Sequence, residues 1–377
     1  MHILLTVNAA WNIRNFRRPI LRALLARGNR LSVLAPEDEA VPDLEEMGAR
    51  FIPLVMDNKG INPARDAALA WRLYRHFRAE RPDVILSWTI KTNIYGAFAA
   101  RMTGTPFIPN VSGLGTAFLS GGLLQGVAER LYTQAFRPLE TVFFQNDEDR
   151  DLFVSRGLLR PVQARCLPGS GIDLAHFSPP PLPPDPSVFL MIARLLRDKG
   201  VCEYVEAARR IRAQYPQAVF RLMGAAGSQN RSAISLAEAQ AWHDAGIIEY
   251  LGTTDDVRPH VARATCLVLP SYREGAPRTL IEGAAMARPL IATDVPGCRS
   301  VVEDGRTGFL CAPKSAEALA DACARFLALS PDAHARMGRA GRAKMEAGFD
   351  EAHVVSAYLA AIDRAVTGDL HPGSPPA

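Results

Sequence analysis

The stretch Leu167–Ser187 reads LPGSGIDLAHFSPPPLPPDPS, and it decides how the rest of the chain is divided. Its seven prolines and two glycines deny it a continuous helix or a central strand. On both sides of it, short apolar runs alternate with longer amphipathic ones. Before it come HILLTVN, RLSVLAP, RFIPLV, DVILSW, PFIPNVS and TVFFQN; after it come SVFLMIAR, AVFRLMG, IIEYLG, CLVLPS, PLIATD and GFLCA. Short, mostly apolar runs suit parallel strands covered on both faces. Helical patterns lie between them, as at Pro63–Glu80 and Leu123–Phe136. The expectation is α/β: two doubly wound, Rossmann-like domains facing across a cleft. Their bounds are 1–168 and 187–349, with a Pro-rich linker at 169–186. A C-terminal helix at 350–366 is expected to cross back to the first domain, and a tail at 367–377, with three prolines and two glycines, to be disordered. Ligands of such sheets bind outside the carboxyl ends of the strands, so the cleft is the expected active site.

At 377 residues the chain is long enough for two full cores. A net charge of +4 is too small for a nucleic-acid binder, so no nucleic acid is expected as a partner. Its distribution says more. Up to Pro36 there are six arginines (Arg14, Arg17, Arg18, Arg22, Arg27, Arg30) and no Asp or Glu, an excess suited to an anionic membrane or a diphosphate. The six cysteines show no C-x-x-C spacing and read as buried free thiols of a reducing compartment. MHILLTVNAAW carries no basic segment ahead of its apolar run, unlike a signal peptide, and no apolar run approaches a bilayer span. A cytoplasmic protein is expected, with peripheral contact on the inner face of the cytoplasmic membrane left open.

Chemistry concentrates in the second half. In FLMIARLLRDKGV, Arg194 ends a strand and Lys199 precedes the next helix. Arg forks onto two phosphate oxygens and Lys supplies a point charge, although this is also ordinary surface sequence. In SYREGAPRTLIEGAAMARPLIATD, Glu274 directly follows a strand, Pro277 suits a first helical turn, and a helix is expected from Arg278 to Ala287. The free N–H groups near Arg278 and Thr279 would face an anion, and Glu282, one turn in, would reach a ribose. Taken singly, Glu274 reads as a carboxylate favoured by a helix dipole and Glu282 as a helix surface residue. The joint arrangement suits a sugar nucleotide.

The stretch from Arg194 to Lys199, together with EGAPRTLIE, resembles the retaining glycosyltransferases of family 4, which have the GT-B fold. GSGIDLAHFSP is similar to that family's linker signature, and the likeness covers nearly the whole chain. It implies that Arg194 and Lys199 bind the donor diphosphate, Glu282 the ribose and Glu274 the donor-sugar hydroxyls. It also brings the loop at Met223–Gly224 close to the nucleotide. Glu274, Arg194 and Lys199 are the implied catalytic residues. Gly224, Arg278, Thr279 and Glu282 complete the donor site. ILSWTIKTNIYG, NVSGLGTAF and FFQNDEDRDLF resemble the subset that builds polyprenyl-diphosphate-linked oligosaccharides. The implied reaction is metal-independent and needs no cofactor. It moves a sugar, an N-acetylhexosamine by this likeness, with retention from a UDP-sugar to a polyprenyl-diphosphate-linked saccharide. Asn8-Ala9-Ala10 replaces the Gly-Gly loop of many members, and Trp88-Thr89 then Lys91 stand where many carry a His.

For the acceptor side, Lys91 and Asn93 follow the fourth strand and would touch a diphosphate, with a solvated helix start as the equal alternative. Gly113 lies in a loop that the resemblance places beside the acceptor. Phe16, Ile20 and Leu24 form one stripe of a helix expected from about Asn15, and Arg14, Arg18 and Arg22 form another. That basic stripe suits anionic lipid or a lipid diphosphate as well as plain solvent. Asp147-Glu148-Asp149 spells D-x-D but opens a helix, where acids are favoured by the dipole, and no metal is implied. Two alternatives stay open: a UDP-sugar 2-epimerase of the same fold, and a non-catalytic subunit that keeps it.

Overall fold

A computed structural model describes residues 1–58, 60, 62–114, 122–183, 187–227, 230 and 232–367. The chain forms two compact units. One is Met1–Ser170 together with the chain from Glu351 on, and the other is Gly171–Asp350.

The first unit runs β1 (His2–Thr6), α1 (Ala10–Phe16), α2 (Arg18–Ala26), β2 (Arg30–Ala35), α3 (Val41–Glu46), β3 (Arg50–Pro53), α4 (Pro63–Glu80), β4 (Val84–Trp88), α5 (Ile90–Thr103), β5 (Phe107–Val111), α6 (Gly122–Phe136), β6 (Val142–Phe144), α7 (Asp147–Ser155) and β7 (Ala164–Cys166). All its strands pair in parallel, in the order β3-β2-β1-β4-β5-β6-β7. β1 and β4 are buried along their whole length, which is why their sequences are apolar runs rather than alternations. The six strands expected in this half form. β7, only three residues long, was not anticipated.

The single helix expected from about Asn15 is two. The chain breaks at Arg17 (φ −128°), and α2 then starts with Pro19 as its second residue, where a missing N–H costs nothing. Ile20 and Leu24 face the core as the stripe implied, joined by Leu21, but Phe16 lies on α1 and is only half-buried. Arg14, however, sits on α1, apart from Arg18 and Arg22.

The second unit runs β8 (Val188–Ile192), α8 (Val201–Gln214), β9 (Val219–Met223), α9 (Leu236–Asp244), β10 (Glu249–Tyr250), α10 (Arg258–Ala262), β11 (Cys266–Leu269), α11 (Arg278–Ala285), β12 (Leu290–Thr293), α12 (Pro296–Val301), β13 (Gly308–Cys311), α13 (Ala316–Leu327) and α14 (Pro331–Gly348). Its sheet is again parallel, ordered β10-β9-β8-β11-β12-β13.

Much of the Pro-rich stretch read as a linker is packed on this unit. The fully buried Arg288 donates to the carbonyls of Pro180 (3.3 Å) and Pro181 (2.9 Å). Arg342 donates to those of Leu174 (3.2 Å) and Phe177 (2.9 Å). Prolines lack a donor but keep an acceptor, and buried guanidinium groups supply the complement. The last helix, α15 (Glu351–Thr367), belongs to the first unit. Its Val354, Tyr358 and Ile362 share a core with Ile3, Leu5 and Trp88, and the Tyr358 hydroxyl accepts from Trp88 Nε1 (2.8 Å) and Asn110 Nδ2 (2.9 Å). The tail expected to be disordered lies, beyond Thr367, outside the described residues.

Candidate active site

In the second sheet β8 neighbours β11, so the strand order reverses between them; open α/β sheets bind ligands beyond the carboxyl ends of the strands at such a point. Arg194 stands two residues past β8 with its side chain exposed. A 3-10 turn, Arg197–Lys199, follows and ends at Gly200. Gly200 has φ +75°, and a Cβ there would lie 2.1 Å from the Pro270 carbonyl oxygen. Only glycine lets α8 start so close to the end of β11. The loops are laced as well: Tyr272 N donates to the Asp198 carbonyl at 2.9 Å, and Ser271 Oγ to the same oxygen at 3.3 Å. That approach sets Lys199 Nζ 2.5 Å from Glu274 Oε1, with both side chains largely buried.

Glu274 is held from behind by α12. Gly297 N donates to its carbonyl at 3.3 Å, and a Cβ at Gly297 would fall 2.4 Å from the Gly275 oxygen. Gly224 follows β9, and any side chain there would meet the Ala193 carbonyl at 1.8 Å. The loops after β8 and β9 therefore touch backbone to backbone. No side chain caps α11, whose N-cap is Pro277 and whose first two residues are Arg278 and Thr279, and the N-terminal end of a helix favours an anion. Glu282 lies one turn in, 8% exposed, and accepts from Arg278 Nε at 2.9 Å. Burial pushes its carboxyl up, and the Arg278 guanidinium only partly opposes this. Arg278 Nη1 also reaches the Gly171 carbonyl at 3.3 Å.

The residues singled out in the second half thus meet at one strand-order reversal. Two relations among them are not visible in sequence. Lys199 and Glu274, read as gripping different parts of a ligand, grip each other. A further cation, Lys314, lies 5.2 Å over the ring of Tyr272, whose hydroxyl donates to Glu203 Oε1 at 2.6 Å. Nothing in the sequence marks Lys314. Its φ of +59°, uncommon for lysine, is the structural sign of its place in a tight turn.

The first sheet has the corresponding reversal between β1 and β4. Thr89, next after β4, takes φ +76°, and Lys91 opens α5. Lys91 Nζ lies 2.6 Å from Asp66 Oδ1, and Tyr95 donates to Asp66 Oδ2 at 2.9 Å. Asp66, on α4, was not anticipated. Its i, i+3 and i, i+4 neighbours give no hint that it faces α5. Asn93 is corrected: it is 1% exposed and donates to the Asn110 carbonyl at 2.7 Å, so it braces the sheet from inside and offers no surface to an acceptor. Gly113 is open, with nothing within 4 Å of a Cβ position. Arg14 is paired with Asp43 at 3.1 Å, and Arg18 is partly buried. Of these acceptor-side residues, Arg14 and Lys91 are therefore already paired with carboxylates.

Two doubly wound units, with cations and carboxylates gathered at the reversal of the second, define the two-domain GT-B architecture. The family description "Glycosyl transferase 4-like domain" matches residues 13–170, and "Glycosyl transferases group 1" matches residues 186–328. The chain belongs to these glycosyltransferases. It is 27% identical to the N,N'-diacetylbacillosaminyl-diphospho-undecaprenol alpha-1,3-N-acetylgalactosaminyltransferase of Campylobacter jejuni, over 95% of this chain and 97% of that one. It is 25% identical to the UDP-Gal:alpha-D-GlcNAc-diphosphoundecaprenol alpha-1,3-galactosyltransferase of Escherichia coli, over 71% of each. Among solved structures, Anabaena Alr3699/HepE in complex with UDP superposes with a TM-score of 0.78 at 17% identity, covering 96% of this chain and all of that one. A Rickettsia africae glycosyltransferase gives 0.76 at 18%, covering 98% and 99%. At such identities the structural likeness speaks for the fold.

Proposed function

We propose that this glycosyltransferase moves an N-acetylhexosamine from a UDP-sugar to a polyprenyl-diphosphate-linked saccharide, with retention at the anomeric carbon and without a metal ion. The observation that carries the reading is the gathering of Arg194, Lys199 and Glu274 with the uncapped start of α11 at one strand-order reversal. The names of the relatives from C. jejuni and E. coli, both acting on diphosphoundecaprenol saccharides, support the acceptor class.

In the proposed step, the bond from the anomeric carbon to the diphosphate oxygen breaks and one to an acceptor hydroxyl oxygen forms. The hydroxyl proton passes to the departing diphosphate. Arg194, Lys199 and the N–H groups of Arg278 and Thr279 would meet the charge that develops on that diphosphate. One such preorganised donor contributes about 3 kcal/mol in comparable sites. Glu274 would orient the sugar and Glu282 accept from the ribose. Because Lys199 already contacts Glu274, a diphosphate taken up by Lys199 brings the donor sugar against that carboxylate.

The test is a mass-spectrometric screen of UDP-sugars against undecaprenyl-diphosphate-linked mono- and disaccharides, with and without EDTA. A product heavier by one N-acetylhexosamine, formed equally in EDTA, is expected. Epimerised UDP-sugar without acceptor, seen by proton NMR, would replace transfer with epimerisation. Loss of activity in EDTA restored by Mg²⁺ or Mn²⁺ would remove the metal-independent part.

A further inference from the structure

Lys199 and Glu274 are 75 positions apart, so their 2.5 Å contact requires that two segments be held against each other. Backbone supplies part of the hold: the Asp198 carbonyl takes Tyr272 N at 2.9 Å and Ser271 Oγ at 3.3 Å. A side chain supplies the rest. Tyr272 stands two residues before Glu274, and Glu203 stands four after Lys199, in the first turn of α8. The Tyr272 hydroxyl donates to Glu203 Oε1 at 2.6 Å. The two contacts close a ring, joined through residues 200–202 on one segment and Arg273 on the other.

That hydrogen bond has the length of one to an ionised acceptor, which is the stronger kind. Burial, and after it the Glu203 carboxylate, push the Tyr272 hydroxyl above the ordinary phenol range, so it keeps its proton and goes on donating. Glu203 Oε2 is buried and takes no hydrogen bond among the described residues, so Tyr272 is the donor that fixes this carboxylate. Removing the hydroxyl leaves a buried acceptor unmet, which costs more than the bond itself contributes. The Lys314 ammonium, 5.2 Å over the ring, steadies the ring as well. Lysine carries a compact point charge on a flexible stem, so the place of its ammonium depends on what holds the segment beneath it.

We propose that Tyr272 and Glu203 are positioning residues of the donor site: their hydrogen bond holds the turn that carries Lys199 against the loop that carries Glu274, and so places the cation that meets the nucleoside diphosphate. Both act through Lys199. The inference rests on the reading of Lys199 as a diphosphate ligand.

The test is titration of the full chain with UDP and with uridine, followed by ligand-observed NMR. Tyr272→Phe and Glu203→Ala should each weaken UDP at least about fivefold, the size expected when one charged hydrogen bond is loosened, and leave uridine within about twofold. The double variant should be no weaker than the weaker single one, because both remove the same bond. Glu203→Gln, which keeps an oxygen for the hydroxyl, should recover most of the affinity lost in Glu203→Ala. Tyr204→Phe is the control. It lies on the same helix, and its buried hydroxyl donates to the carbonyls of Phe189 (3.1 Å) and Arg221 (3.0 Å). It should lower the thermal midpoint and leave UDP affinity unchanged. The proposal is overturned if Tyr272→Phe binds UDP as the parent does, or if it weakens uridine as much as UDP. It is equally overturned if Tyr204→Phe weakens UDP to the same extent, which would make lost stability the cause. A parent that binds no UDP at all would overturn the donor reading together with the proposal, and is distinct from these three results.

Discussion

The two sheets reverse strand order at the same place, between their first and fourth strands, yet the two reversals are chemically unlike. In the second unit the reversal carries an exposed Arg194, a Lys199–Glu274 contact drawn tight by Gly200, and a helix start without a side-chain cap. In the first, Lys91 is answered by Asp66, and Asn93 is spent on the Asn110 carbonyl. Topology supplies a crevice in both, each with a lysine–carboxylate pair, and under the proposed function the other side chains decide which one grips an anion.

The largest effect should come from removing a cation on the second side. Lys199→Ala or Arg194→Ala is expected to lower turnover at least about a hundredfold with folding retained, while Lys91→Ala changes turnover less than about tenfold and acts mainly on the acceptor KM. Steady-state kinetics of the three variants decides it, and equal losses would erase the contrast.

The next effect is on stability. Gly224→Ala should cost about 2–4 kcal/mol, because its Cβ would overlap the Ala193 carbonyl, whereas Gly104→Ala, at φ +70° in open space, should cost about 1 kcal/mol. Urea unfolding curves measure both. Asp66→Asn is expected to cost about 1–3 kcal/mol by leaving the Lys91 ammonium without its partner, and Asp66→Asn/Lys91→Met to recover part of that. A double variant no more stable than the single one would mean that the pair does not couple.

The smallest effect is a slope. The Glu282 carboxyl holds its proton to higher pH in the folded chain than the ordinary value of 4.5. The stability tied to it is therefore full below that value and lost as pH rises through the raised folded value. Glu282→Gln should flatten the midpoint-against-pH profile in that window, and an unchanged profile would put the cause elsewhere.

How legible was this in the sequence? All twelve apolar runs become strands; the inner ones are legible because parallel strands buried on both faces leave a continuous apolar signature, while the edge strands β3 and β10 are partly exposed. β7 was missed because its three residues, Ala-Arg-Cys, at the sheet edge leave none. Glycine and proline positions told where helices start, but Arg17, which breaks α1 from α2, is neither. The residues proposed for the donor side come together where the sequence reading expects because each lies beyond a recognisable strand. Their partners were not: Lys199 and Glu274 are 75 positions apart, and Asp66 reaches Lys91 from a different helix. Pairing across elements depends on how helices settle on the sheet, which periodicity does not encode. The Pro-rich stretch was read by what it lacks, donors and regular structure. Its acceptors, which Arg288 and Arg342 take up, are what hold it.

The place of α15 bears on the order in which the chain assembles. The second unit is inserted whole within the first, and its ends are clasped by Ile172 N donating to the Phe349 carbonyl at 2.8 Å. During synthesis it is complete before the first unit is. The indole of Trp88 and the amide of Asn110 wait for the hydroxyl of Tyr358, which follows the whole second unit in the chain. Of the two units, the one that begins first is therefore the one completed second.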